Sequence, residues 1–258
     1  GVKHLDTASI LNDLAFIYYK KGLYSQAEKH MLRALAIRKE FLGLDDPDTA
    51  ITIKNLAMIY KDQGLFSKAL PLALRALSIN KKLHGLVDAE TASSLGELAS
   101  IYRMKGLYAK AKTHYENVLT IRNKILDPNH PDIASSLNSI GLLYKQRGQY
   151  KQALPLYERA LAIREKVLGP DHPETSTSIN NLAALYSKQG LYNKAKPLYR
   201  RSILIKEKTI GADHLRTSIS LNNLALMFYK QGLFEKAEQI YGRVLSIREK
   251  IFGSNHPR

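Results

Sequence analysis

Apolar residues recur along this chain with the spacing of a helix face, and the pattern starts again every 42 residues. In the first segment, Leu11, Leu14 and Tyr18 follow the i, i+3, i+7 spacing that places side chains on one side of an α-helix. A glycine interrupts each segment in the same register, and these glycines are Gly22, Gly64, Gly106, Gly148, Gly190 and Gly232. Each unit is therefore predicted to consist of helix A, a tight turn at the glycine, and helix B.

The pattern also predicts where the helices begin and end. Helix A is predicted at residues 6–21, 48–63, 90–105, 132–147, 174–189 and 216–231. Helix B is predicted at residues 25–41, 67–83, 109–125, 151–167, 193–209 and 235–251. The repeats then occupy residues 1–42, 43–84, 85–126, 127–168, 169–210 and 211–252, and residues 253–258 begin a further linker. We therefore expect one repeat array over residues 1–258, although the length alone would allow two domains.

Small and aromatic residues occupy fixed positions in each repeat. Helix A has a small residue at Ala15, Ala57, Ala99, Gly141, Ala183 and Ala225. An aromatic residue follows at Tyr18, Tyr60, Tyr102, Tyr144, Tyr186 and Phe228, and helix B has Ala27, Ala69, Ala111, Ala153, Ala195 and Ala237. A methyl group at a helix crossing permits close approach of the two backbones, so these positions are predicted to lie where helices A and B cross.

This spacing resembles the tetratricopeptide repeat, whose pattern is Leu-Gly-x2-Tyr followed by Ala-x3-Phe in a unit of roughly 34 residues. The longer unit, with Leu-Gly-Pro-Asp-His-Pro-Glu-Thr at residues 168–175, resembles the repeats of kinesin light chains and their bacterial relatives. The resemblance implies an all-α fold, a right-handed superhelical solenoid of six helix-turn-helix repeats whose A helices line a concave groove. It also implies a protein–protein interaction scaffold that binds an extended peptide segment of cargo or adaptor type.

The groove positions that the resemblance implies contain an unusual number of asparagines. Two adjacent columns of helix A hold asparagine at seven of twelve positions, although asparagine is a poor helix former. Its amide offers two donors and an acceptor, which suit the backbone of an extended peptide, and nearby lysine and arginine side chains suit acidic residues. The predicted peptide-binding residues are Asn12, Lys54, Asn55, Lys61, Arg103, Asn138, Lys145, Asn180, Asn181, Asn222 and Asn223. The alternative is that the asparagines bond between neighbouring A helices and only hold the stack.

The positive net charge of the chain indicates a second candidate function. The formal net charge is +16, which is typical of nucleic-acid-binding proteins, but the excess is spread evenly over the repeats. One column near the end of helix B holds Arg38, Arg122, Arg164, Lys206 and Arg248, and the next but one holds Lys82, Lys124, Lys166, Lys208 and Lys250. These cations are predicted to form a solvated face that complements the helix dipoles. Nucleic-acid binding by this helix-B surface stays the alternative, and a purely structural or self-association array is a third hypothesis.

Five histidines share one linker position: His4, His130, His172, His214 and His256. A metal ion needs ligands within about 2.0–2.1 Å, whereas equivalent positions in stacked repeats lie at least about 8–10 Å apart. The histidines are therefore predicted to cap helices or to form loop hydrogen bonds, and no metal site is expected.

The remaining motifs and the composition narrow the function further. The chain has no P-loop, G-x-S-x-G, H-E-x-x-H or G-x-G-x-x-G element, so we expect neither an enzyme nor a cofactor. It has no cysteine, no apolar run near the roughly 18–20 residues of a membrane span, and no apolar signal segment at its start. We therefore expect a cytoplasmic protein that does not bind membranes.

The last helix suggests how copies of the chain could associate. Its apolar positions Ile240, Val244, Ile247 and Ile251 are predicted to be partly uncovered, because a following repeat would normally pack on them. End-to-end self-association is one expectation, and a piece of a longer array is the other.

Overall fold

Six helix pairs make up the computed structural model, which describes residues 4–252 and has no β-strand in that range. The A helices are α1 (Leu5–Lys20), α3 (Pro47–Asp62), α5 (Ala89–Met104), α7 (Pro131–Gln146), α9 (Pro173–Lys188) and α11 (Leu215–Lys230). The B helices are α2 (Tyr24–Phe41), α4 (Phe66–His84), α6 (Tyr108–Ile125), α8 (Tyr150–Leu168), α10 (Tyr192–Ile210) and α12 (Phe234–Phe252). The all-α fold of six helix-turn-helix repeats is confirmed, with every predicted boundary within one residue.

The chain divides into two compact units of three repeats each. Unit 1 comprises α1–α6 and ends at Ile125, and unit 2 comprises α7–α12 and begins at Leu126. Within each unit every helix packs against its neighbours in sequence, and consecutive A helices also touch, as α3 touches α5 and α9 touches both α7 and α11. This second contact places the same columns of successive A helices side by side. The right-handed superhelix and the single array stay predictions.

The turn between helices A and B depends on glycine. At Gly190 the backbone φ is 75°, a left-handed value that L side chains rarely adopt. The turn is closed by the Leu191 N–H, which donates to the Tyr186 carbonyl at 2.9 Å. The equivalent glycines have φ between 72° and 76°, so the same turn repeats in all six units.

The linker histidines cap the A helices, as predicted. At α7, α9 and α11 the ring Nδ1 of His130, His172 and His214 accepts a hydrogen bond from the backbone N–H two residues later, at 3.0–3.1 Å. His4 caps α1 in the same way at 3.3 Å. A side-chain acceptor at this position satisfies an N–H that the helix leaves unpaired. His256 lies outside the described residues.

The small column of helix A lies against an aromatic ring, and in the fourth repeat the space is fully used. A Cβ at Gly141 would lie 2.8 Å from Cε1 of Tyr157, whose side chain is completely buried. Ala15 and Ala183, at the same column of other repeats, are also fully buried. The predicted crossing of helices A and B at this column is confirmed.

The first cation column is buried at three of its five cations and half-buried at Arg122 and Arg248, so the predicted solvated face is wrong for the three. Arg38, Arg164 and Lys206 expose only 7%, 4% and 4% of their surface. Within each unit the column lies where helix B meets the first half of the next helix A, and that helix has serine or threonine at the facing position. We call Arg38, Asn80, Arg164 and Lys206 the joint residues.

The joint residues bond the next repeat in a common way. Arg164 Nη1 donates to the Glu174 carbonyl at 3.1 Å and to Ser178 Oγ at 2.9 Å, and Nη2 donates to Ser135 Oγ at 3.0 Å. Arg38 bonds Asp48, Thr52 and Ser9 in the same arrangement. Asn80 donates to Ser94 Oγ at 2.8 Å, and Lys206 donates to Ser220 Oγ at 2.7 Å. Each joint residue thus donates to helix A of the next repeat, and the two arginines also donate to helix A of their own repeat.

The second cation column is exposed at Lys82, Lys124, Lys166, Lys208 and Lys250, as predicted.

The last helix differs from the prediction, because Val244 and Ile247 are 4% and 1% exposed and pack in the core with Leu221 and Phe228. Of the other two predicted positions, Ile251 is 39% exposed and Ile240 is half-buried, and Leu245, which was not predicted, is 58% exposed. End-to-end association stays a prediction, but Val244 does not take part. In the described part of the chain, no helix combines the length and apolarity that crossing a bilayer requires.

Replacing Arg164 tests the joint. We expect Arg164→Ala to lower the free energy of unfolding by about 2–4 kcal/mol, because it leaves buried acceptors on α7 and α9 without their donor. The control is Arg243→Ala, which removes an exposed ion pair with Glu207 and should cost less than about 1 kcal/mol. Equal losses in urea denaturation of the two variants would contradict the role of the joint.

Lys206 makes the joint between the last two repeats sensitive to pH. Burial lowers the pKa of Lys206 to about 8 from 10.5, and the neighbouring Arg216 charge acts in the same direction. Between these two values the unfolded chain binds more protons than the folded chain, so stability rises with pH. We expect the free energy of unfolding to rise by about 2 kcal/mol from pH 8 to pH 10, relative to Lys206→Arg, whose side chain stays charged. Urea midpoints measured for both proteins across this range check the difference, and parallel curves would refute it.

Candidate peptide-binding face

The predicted site residues lie on one surface of the A helices, which we call the helix-A face. Contacts between consecutive A helices place the two asparagine columns of one repeat next to those of the following repeat. Because each unit has three A helices, the face in each unit is three repeats wide. Unit 1 contains Asn12, Lys54, Asn55, Lys61 and Arg103. Unit 2 contains Asn138, Lys145, Asn180, Asn181, Asn222 and Asn223.

The asparagines form hydrogen bonds between repeats. In unit 1, Asn55 Nδ2 donates to Asn12 Oδ1 at 3.1 Å. In unit 2, Asn181 donates to Asn138 at 3.3 Å and Asn223 donates to Asn180 at 3.4 Å, through the same atoms. The second column therefore donates to the first column of the preceding repeat. This is the stacking role that the sequence left open as an alternative.

The two asparagines of each pair differ in exposure and in the polar groups that they still present to a ligand. Asn138 and Asn180 are each 8% exposed, and Asn138 also donates to Ser178 Oγ at 2.9 Å, so it joins the ladder to the Arg164 joint. Asn181 and Asn223 are half-buried and use one N–H in the ladder. An amide has two donors and a carbonyl oxygen. The second-column asparagines can therefore hold the stack and still bind a ligand.

The predicted cations of unit 1 are already paired within the protein. Lys54 Nζ lies 3.0 Å from Glu90 Oε2 and 3.1 Å from Ser93 Oγ. Lys61 Nζ lies 3.1 Å from Glu97 Oε1. Arg103 is half-buried on the same face and also interacts within the protein. In this unit the cations link neighbouring repeats.

Acidic and aromatic side chains add to the face of unit 1. Asp62 accepts a hydrogen bond from the Tyr19 hydroxyl at 2.5 Å, and burial together with this bond raises the pKa of Tyr19. Phe16, one turn before Tyr19, is 43% exposed. The face of unit 1 is therefore closer to electroneutral than the sequence prediction implied.

The helix-A face of unit 2 contains a cavity of about 260 Å³ between α7, α9 and α11. Three lysines line it, and no carboxylate does. Lys188 and Lys230 are exposed, and Lys145 is half-buried. The other lining residues are Asn180, Asn181, Ala184, Ser187, Tyr199, Ile219, Asn223 and Leu226. A recess with ammonium groups, amides and an apolar wall fits an acidic side chain beside an apolar one.

Four of the predicted residues line this cavity, and two lysines were missed. The structure brings together Lys145, Asn180, Asn181 and Asn223, whereas Asn222 is half-buried outside the lining. Lys188 and Lys230 end their A helices, at a position that holds Asp62, Met104 and Gln146 in other repeats. The sequence signal was the return of lysine at this position in the last two repeats.

The described residues contain no group of three or more histidine, cysteine or acidic side chains that could hold a metal ion.

Burial raises the pKa of Tyr199 at the cavity floor, so its hydroxyl is present as the neutral phenol near neutral pH. The polar groups offered by this surface are therefore neutral amides and hydroxyls together with lysine ammonium groups.

Known protein structures share the helical repeat fold of this chain. Solved structures similar to the chain include a Podosopora anserina protein described as a kinesin light chain with nearly identical TPR-like repeats. It is 26% identical in sequence, the match covers 81% of this chain and 99% of that protein, and the TM-score is 0.65. BtubC (BKLC) from P. vanneervenii is 22% identical, covers 93% of each chain and has a TM-score of 0.66. A Rap protein complexed with competence and sporulation factor is 20% identical, covers 95% of this chain and 76% of its own, and has a TM-score of 0.67. No curated protein matches the chain.

The predicted resemblance to repeats of the kinesin-light-chain type is confirmed by these structures. The sequence profile described as Tetratricopeptide repeat matches residues 6–82, 90–166, 132–208 and 177–250, which together cover most of the chain. The chain therefore belongs to the tetratricopeptide repeat family.

Proposed function

We propose that the chain is a non-enzymatic protein–protein interaction module whose helix-A face in unit 2 binds an extended acidic segment of a cytoplasmic partner. The observation that supports this most is the cavity on that face, whose lining includes the exposed Lys188 and Lys230 and no carboxylate. A surface recess of one charge sign attracts ligands of the opposite sign. Repeats of this family are typical of interaction scaffolds, so a protein partner fits the fold as well as the site.

Two kinds of contact define the proposed mode. Asn181 and Asn223 each keep a carbonyl oxygen and an N–H beyond the ladder, and these groups can bind a partner backbone whatever its sequence. The ammonium groups of Lys188 and Lys230 bind a carboxylate of the partner. Leu226 and Ile219, which are 39% and 46% exposed, contact an apolar or aromatic side chain next to that carboxylate.

The other predicted site residues support the face indirectly in this proposal. Lys54 and Lys61 are neutralised by Glu90 and Glu97, so they hold unit 1 together. Asn138 is buried and engaged on both sides, so it positions Asn181. The similar Rap protein is complexed with competence and sporulation factor, so a protein of this fold can hold a bound factor.

Nucleic-acid binding by helix B has less support. Arg38, Arg164 and Lys206 are buried, which removes three of the five cations of the first column from the surface. In the other column, Lys82 and Lys250 are paired with Asp45 and Asp213 at 2.6 and 2.7 Å. A phosphate backbone requires a row of available cations, and the surface of helix B supplies a shorter row than the sequence indicated.

Affinity for an acidic peptide tests the proposal. The probe is a labelled decapeptide library with one aromatic residue among aspartates and glutamates, and binding is measured by fluorescence anisotropy. We expect Lys188→Ala with Lys230→Ala to weaken binding about tenfold or more, because charge-assisted bonds to the carboxylate are lost. The control pair, Lys124→Ala with Lys166→Ala, removes the same charge from exposed helix-B positions and should leave the affinity unchanged.

Salt dependence separates the two functional classes in the same assay. Binding through six to ten phosphates loses about 10³–10⁵ in affinity between 50 and 200 mM salt, whereas a peptide held by a few charges should weaken by roughly tenfold or less. Binding that is lost only in the helix-B pair, with a steep salt dependence and capture of DNA or RNA, would overturn the proposal.

A pair of asparagine variants tests the division between stacking and binding. We expect Asn138→Ala to lower the free energy of unfolding by about 1–3 kcal/mol, because Ser178 and Asn181 lose a buried partner. Asn223→Ala should weaken peptide binding and cost less stability, because Asn223 is half-buried. Urea denaturation and anisotropy of both variants check this. The same loss of stability with no loss of affinity in Asn223→Ala would show that the ladder only holds the stack.

A further inference from the structure

The helix-B side of unit 2 contains a second, larger recess. Its volume is about 440 Å³, and it lies between the linker that precedes α9 and the outer side of α10. Asp171 lines it from the linker, and Pro197, Arg200, Leu204 and Lys208 line it from α10. No residue is shared with the cavity on the helix-A face. The two recesses are therefore separate sites on the same unit.

Leu204 is unusual for its position in the repeat. It is 64% exposed, whereas Ile203 and Ile205 on either side of it are 7% and 5% exposed. The equivalent positions hold small or polar residues: Ala36, Ser78, Thr120, Ala162 and Ser246. Core packing therefore does not explain a leucine here, and its side chain supplies an apolar wall to the recess.

The charged groups of the recess are also arranged differently from those of other repeats. Elsewhere a linker aspartate pairs with a lysine of the following helix B, and these pairs are Asp45 with Lys82 and Asp213 with Lys250. Asp171 and Lys208 have the same separation in sequence, but within residues 4–252 no ion pair joins them. The recess lies between them, and Lys208 keeps its charge available on one side of it.

Two arginines complete the recess and have different roles. Arg201 pairs with Glu165 at 2.8 Å and donates to the Pro170 carbonyl at 3.3 Å, so it holds the linker in place. Arg200 is next to it in the lining and has no ion pair in the described part of the chain. Arg200 and Lys208 therefore place two unpaired cations beside an exposed apolar wall.

We propose that this recess binds a small amphiphilic anion, with its apolar body on Leu204 and Pro197 and its carboxylate or sulfonate head at Arg200 and Lys208. The volume lies within the roughly 300–1,000 Å³ of small-molecule sites, which combine apolar walls with a few polar groups. The site adds a ligand to the proposed function and does not depend on peptide binding, because its lining is distinct.

The test uses the full chain and two probes of this chemistry. Anilinonaphthalenesulfonate fluorescence reports binding, and octanoate competes for the same site. We expect Leu204→Ser to weaken both ligands about tenfold, because the apolar wall is lost. Lys208→Gln should weaken octanoate several-fold and reduce the dependence of its binding on salt, because a charge contact is removed.

Matched variants show whether the effect is local. Leu74→Ser removes an exposed leucine of α4, at the repeat position equivalent to Arg200, and Lys166→Gln removes the lysine equivalent to Lys208. Both should bind the two probes like the unaltered chain, as should Lys188→Ala with Lys230→Ala. Unchanged octanoate binding by Leu204→Ser would overturn the proposal. An equal loss of octanoate affinity in Leu74→Ser would also overturn it, as would a loss of octanoate affinity only in Lys188→Ala with Lys230→Ala. A variant that loses peptide binding and keeps octanoate binding would test only the proposed peptide site on the helix-A face.

Discussion

The structure depends on a polar contact that recurs within both units, where the end of a helix B meets the helix A that follows it. Arg164 shows its full form: one guanidinium satisfies a backbone carbonyl and two serine hydroxyls on the two A helices that it faces. Because Arg164 is 4% exposed, a guanidinium donor left unpaired there would be costly. Apolar contacts alone would allow neighbouring helices to slide, whereas a buried fork of donors requires one register. This register aligns the columns of successive A helices.

The alignment creates the asparagine ladder, and the ladder in turn shapes the candidate site. Ser178 receives both the Arg164 joint and Asn138, so joint and ladder form one network in unit 2. The two units then use the same face differently. In unit 1 the lysines of the face are neutralised by glutamates, as Lys61 is by Glu97, whereas the cavity of unit 2 has lysines without a carboxylate in its lining. A uniform scaffold thus acquires a local ligand preference from a few exchanged side chains.

The sequence predicted the fold well because a repeat supplies six independent readings of the same helix periodicity. Helix boundaries, glycine turns and histidine caps depend on local backbone chemistry, which each repeat displays. The joint was misjudged because a cation near the end of a helix looks the same in sequence whether it meets water or a serine on the next repeat. The ion pair of Lys54 could not be predicted for a similar reason, since its partner Glu90 lies in another repeat. Lys188 was missed because three of the six repeats have another residue at this position, so lysine does not stand out there as a repeated feature.

Lysine reactivity shows whether the helix-A face of unit 2 binds the acidic segment. The full chain is acylated at its amines with and without a bound acidic-aromatic peptide, and each site is quantified by mass spectrometry. We expect the peptide to protect Lys188 and Lys230, while Lys124 and Lys166 on helices B react at unchanged rates. Protection of the helix-B lysines with full reactivity at Lys188 and Lys230 would contradict it.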